Sequence, residues 1–136
     1  MPSKLGYLVR PWSGSAALWA VGLALIVRWA PHSTGGEPVP QPVQTLRVHL
    51  PWIGLCALST AAAGTLYRDP ATLPQWLSAT LPIPVVAVLV GATSGMLPAS
   101  SSAITLLYLG EAVFGIVLGL FIGSLFREVE PDEGYR

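Results

Sequence analysis

Residues 103–126 read AITLLYLGEAVFGIVLGLFIGSLF, an apolar run that contains one charged side chain, Glu111. A helix needs about 20 such residues to cross a bilayer, so the run is long enough to span. A carboxylate inside a span is costly, and it is kept where it is paired or where it works. Gly115, Gly119 and Gly123 follow Glu111 at intervals of four, so the acid heads a row of glycines along one helical face.

Three further segments have related character. Residues 12–30 (WSGSAALWAVGLALIVRWA) carry Trp12 and Trp29 at their ends, in the manner of an interfacial aromatic belt. A secretory signal would share the basic start and the apolar middle. Arg28, however, stands where a small-residue cleavage site belongs, so the segment is read as a retained span. Residues 48–67 form the second segment, with Pro51 suited to a first helical turn. The third, residues 75–97, is interrupted by Pro82 and Pro84. Only about 22 Å of helix remains beyond them at 1.5 Å per residue. A start upstream, with Asp69 as cap, Pro70 in the first turn and a kink at the prolines, restores the length; a re-entrant or tilted segment is the alternative. The expected fold class is therefore all-α, an integral membrane bundle of four transmembrane helices in one domain, residues 1–136. A proline-rich loop is expected at 31–47 and an acidic, solvated tail at 127–136.

The remaining composition narrows the function classes. Charged residues are 10% of the chain against roughly 25% in soluble domains, which makes the lipid bilayer its first partner. Seven Lys and Arg balance seven Asp and Glu, so nothing points to nucleic acid. The single cysteine, Cys56, lies in an apolar run and reads as a small buried hydrophobe. His32 and His49 have no cysteine or carboxylate at ligand spacing, and no phosphate-loop, dinucleotide or nucleophile-elbow pattern occurs. No metal, cofactor or enzymatic activity is therefore expected. With four spans, Lys4, Arg10, Arg68, Arg127 and Arg136 fall on one side and Arg28 and Arg47 on the other. That bias predicts cytoplasmic termini in a plasma membrane.

The small-residue rows suggest how the helices meet. In the last span the face near Glu111 carries Gly115, Tyr108, Gly119, Ala112, Thr105 and Gly123, a glycine-zipper pattern. Leu106, Leu107, Val113, Phe114, Val117, Leu120 and Phe121 turn towards lipid. The first span has Ala16, Ala20 and Ala24 at the same spacing, followed by Arg28. In four crossings the first and last helices run antiparallel, so matching the two rows sets Arg28 opposite Glu111. An intramembrane Arg28–Glu111 pair is the resulting expectation. Self-association of the last helix through its glycines is the rival use of the row. Ser59, Thr60, Thr93 and Ser94 are read either as a polar path, with His49 and Tyr108, or as ordinary interhelical hydrogen-bonding groups. His49, at a helix start near the face of Arg28, is of a type that titrates between pH 5 and 8.

Residues 97–126 resemble the late helices of a drug/metabolite transporter (EamA-like) repeat, in which a small-residue loop leads into a helix bearing Glu-Pro-x-Phe and then a glycine. Glu111, Phe114 and Gly119 sit comparably, with Ala112 in place of the proline. The resemblance implies metabolite transport, a paired-repeat architecture of five-helix repeats, and hence a dimer of this shorter chain. The size and the membrane carboxylate are also similar to those of small four-helix multidrug exporters, but their acid lies in the first helix, which here has none. Two functional readings stand. One is a non-catalytic accessory or assembly subunit, packed with other membrane subunits, in which Glu111 is structural. The other is a small oligomeric transporter or channel in which Glu111 binds a proton, a cation or a substrate.

Overall fold

Long apolar segments with their backbone groups satisfied internally form helices. The computed structural model, which describes residues 6–31, 38–67, 72–99 and 101–127, contains no other regular element among those residues. Helix α1 spans Gly6–Trp29, α2 Gln41–Gln44, α3 Leu50–Leu66, α4 Leu73–Thr80, α5 Pro82–Thr93 and α6 Ser102–Ser124. A π-helical turn, Thr45–His49, joins α2 to α3. Three stretches are long and apolar enough to cross a membrane: Gly6–Trp29, Leu73–Thr93 and Ser102–Ser124. Helix α3, with 17 residues, is the fourth and shortest of the long helices.

Two expectations about the ends of helices change. The expected loop at 31–47 is helical from Gln41, with Pro42 near the helix start, where its missing N–H costs little. Pro51 keeps its place in the first turn of α3, but the helical path already runs into that turn from Gln41. A proline inside a helix cannot donate to the carbonyl four residues back and its ring crowds that carbonyl. The widened turn Thr45–His49 sits directly ahead of it, and the Leu50 N–H donates to the Thr45 carbonyl. The third segment does start upstream of Trp76, but Thr72 is its cap, its N–H donating to Gln75 Oε1 at 3.1 Å. Asp69 and Pro70, like His32 and residues 128–136 of the tail, lie outside the described residues. Leu81 keeps helical dihedrals, its N–H reaching Leu77 O at 3.0 Å, so α4 and α5 form one path bent at Pro82 and Pro84.

Helix α3 is the centre of the bundle. Trp52, fully buried on α3, meets Trp19 of α1 edge-on at 6.2 Å and Tyr108 of α6 at 6.3 Å. Its indole N–H donates to Tyr108 O at 2.9 Å. Helix α1 runs antiparallel to α3, with Gly14 against Leu66 and Gly22 against Leu55. Helix α6 runs parallel to α3: Gly115 faces Ile53 and Cys56, Gly119 faces Ala57 and Thr60, and Gly123 faces Gly64 and Ala61. The bent α4–α5 crossover makes that parallel pairing possible. Trp12 ties α1 to it through Ala79 O at 3.0 Å. The outer surface is apolar, with Val21, Leu106, Val113, Phe114, Val117 and Phe121 all more than half exposed, as the lipid-facing side of a membrane bundle requires.

Candidate functional site

The glycine row of α6 positions the acid. A Cβ at Gly115 would lie 2.7 Å from the Ile53 carbonyl oxygen and 2.8 Å from Cys56 Cβ, so only glycine lets the two backbones approach this closely. Ile53 is four residues after His49, and Gly115 is four after Glu111. One turn up from this contact, the same parallel register places His49 opposite Glu111. His49 Nδ1 lies 2.8 Å from Glu111 Oε1 and 3.0 Å from Oε2, with both side chains mostly but not fully covered (18% and 16% exposed). The imidazole also stacks on Tyr108, ring centres 5.2 Å apart. The Tyr108 hydroxyl donates to Pro98 O at 3.1 Å, which fixes the chain that precedes α6.

This corrects the expected partner of the acid. Arg28 is exposed in the last turn of α1, and α3 stands between α1 and α6. Ala16, Ala20 and Ala24 face outward, because α1 buries the adjacent row, Pro11, Ser15, Trp19, Leu23 and Ile26. Gly115, Gly119 and Gly123 are buried, and against α3. The hydroxyls of the suggested path do not line up. Ser59 and Thr60 both donate to Cys56 O, Thr93 to Leu89 O and Ser94 to Gly91 O, each within its own helix. Back-bonding to a preceding turn is the ordinary behaviour of such residues.

Of the residues suggested for a path, His49 and Tyr108 do share a site with Glu111. They line an open cavity of about 690 Å³ with Gln41, Gln44, Thr45, Pro98, Ala99, Ile104 and Leu107. Gln41 and Gln44 were missed in the sequence because they fell in the expected loop. The signal was Pro42 followed by four-residue spacing to Leu46 and Leu50. Chemically, the cavity offers a carboxylate backed by an imidazole, two side-chain amides and an apolar wall. Among the described residues no group of three or more His, Cys, Asp or Glu could hold a metal ion.

The chain thus has the architecture of a helical multi-pass membrane protein with a polar site at one end of its bundle. An MFS-type transporter of Pestalotiopsis microspora is 34% identical to it over 77 residues, covering 57% of this chain and 12% of that protein. The chain accordingly spans a small part of that relative's length. No family model and no solved structure matches the chain.

Proposed function

We propose that the protein is a small membrane transporter, or a transporter subunit, in which Glu111 and His49 form a proton- or cation-binding site. The observation that carries this reading is that Glu111 is not sealed in a permanent Arg pair. It lines an open cavity beside a side chain of a type that gains and loses a proton near neutral pH. The similarity to a transporter supports the same class. In this reading α3 crosses the membrane with the other three helices, since it lies parallel along α6 over successive turns and so shares its depth. With both termini cytoplasmic in a plasma membrane, the cavity opens on the outer side, where α2 and the residues before α6 meet. The finer resemblance to a drug/metabolite repeat belongs to the same reading, with association of copies completing the pathway.

The accessory-subunit reading keeps one observation of its own. Ala16, Ala20 and Ala24 form an exposed small-residue row that no described helix covers, suited to close approach by a helix of another membrane subunit.

Flux into proteoliposomes decides between them. The wild type is expected to carry protons or a monovalent cation down an imposed gradient. Glu111→Gln is expected to lose that flux while keeping its unfolding transition in detergent. Equal flux in both proteins would remove Glu111 from any transport role.

A further inference from the structure

A membrane site holding a carboxylate and an imidazole needs one positive charge to be neutral, and the geometry here offers two sources for it. With His49 neutral, the pair carries the full negative charge of Glu111. With His49 protonated, both carboxylate oxygens face an imidazolium at 2.8 and 3.0 Å and the pair is neutral. A net charge next to hydrocarbon is costly, so the deprotonated pair favours any cation that can reach it.

The cavity determines which cations can reach it. Among the described residues Glu111 is the only acid in its lining, and Gln41, Gln44 and Thr45 add uncharged polar groups. Pro98, Ile104 and Leu107 supply apolar lining. A volume of about 690 Å³ exceeds what a bare metal ion needs and lies in the range of small organic ligands. Among the described residues no other charge offsets Glu111 from the surrounding elements. Arg47 on the π-helical turn and Arg28 on α1 are exposed and make no ion pair with a described residue, α3 contributes only the Cys56 thiol, and α6 contributes Tyr108.

We infer that the Glu111 site binds a small organic cation with an apolar body, and that this cation and a proton on His49 occupy the site alternately. The inference rests on the proposed transport role of the same site and adds the ligand class and the rule of exclusion. Binding of the cation displaces the imidazolium proton to water, and protonation of His49 displaces the cation; charge balances in both directions. An exchange of this kind couples the two gradients without a second binding site.

Benzyltrimethylammonium is the appropriate probe, because its charge does not change with pH. Titrated calorimetrically into the full chain in nanodiscs, it is expected to bind about tenfold or more weakly at pH 5 than at pH 8, across the window in which histidines change charge. Glu111→Gln should abolish binding. His49→Gln should bind at both pH values with equal affinity. Should that variant fail to fold, the wild type alone gives the answer: at pH 6, heats measured in buffers of different ionisation enthalpy must show proton release on binding. Absence of binding at pH 8, absence of proton release, or unchanged pH dependence in a folded His49→Gln protein each overturns the inference. Glu111-dependent proton flux without cation binding would overturn the inference and leave the transport role standing.

Discussion

The glycine row of α6 makes a graded prediction, because its members differ in what an added methyl group would meet. At Gly119 a Cβ would overlap the Ala57 carbonyl oxygen and lie 2.7 Å from Thr60 Cβ. At Gly115 it would lie 2.7 Å from the Ile53 carbonyl oxygen. A carbon normally stays about 3.3 Å or more from a carbonyl oxygen, so α3 and α6 must part by roughly 0.6 Å at Gly115 and by more at Gly119. Those obstacles are backbone atoms, which cannot rotate aside. At Gly123 the nearest atoms are 3.4 Å away, an ordinary contact, and at Gly110 nothing lies within 4 Å. Overpacking costs about 1–3 kcal/mol. Gly119→Ala is thus expected to lose about 2–3 kcal/mol and Gly115→Ala about 1–2, with Gly123→Ala and Gly110→Ala within about 0.5. Helix propensity adds little to this ordering, since membrane helices stay helical when they separate. Reversible unfolding in mixed micelles, followed by circular dichroism or tryptophan fluorescence, gives the four values. Equal losses at all four sites, or a larger loss at Gly123 than at Gly119, would refute the close parallel contact of α3 and α6.

Three further outcomes check other parts of the structure. Gly95 ends the third segment with φ +73°, a left-handed backbone, so Gly95→Ala should cost about 1–2 kcal/mol in the same unfolding experiment. Trp52→Phe removes the buried 2.9 Å hydrogen bond to Tyr108 O and should cost at least about 0.5–1.5 kcal/mol, with a loss of the tertiary near-ultraviolet signal from the Trp19–Trp52–Tyr108 cluster. Cys56 is fully buried, so maleimide labelling of the folded protein should be slow and should become fast in dodecyl sulfate. Rapid labelling of the native protein would place α3 at the surface of the bundle.

The long helical stretches were legible in the sequence because apolar length is a signal that needs no partner to be read, whereas the four-residue α2 was not. Most of the lipid-facing side of α6 was legible through the helical period of its bulky residues, but Leu120 packs against Tyr67, Trp76 and Ala79 and Leu107 lines the cavity. Partner choice was not. Glu111 heads an i, i+4 row, and two other rows in the chain offer matches: Ala16, Ala20, Ala24 and Arg28, or His49, Ile53, Ala57 and Ala61. The first runs antiparallel to α6 and ends in a full charge. The second runs parallel and interposes the larger Ile53. Small size favoured the first, but it is α3 that occupies the centre of the bundle, and the backbone at Ile53 rather than its side chain meets Gly115. The π-helical turn was illegible too, because the helix N-terminal to Pro51 was hidden behind the prolines of the expected loop.

The register that joins His49 to Glu111 bridges 62 residues of chain. At a synthesis rate of 5–20 residues per second, α3 waits roughly 3–12 s for α6 to emerge. During that interval its imidazole has no carboxylate and its central groove no glycine face. The helices that precede α6 therefore cannot complete the core on their own, and the decisive step of folding waits for α6. Truncation before Gly115 should leave a chain that inserts but is cleared by quality control, whereas supplying α6 as a separate peptide should rescue it.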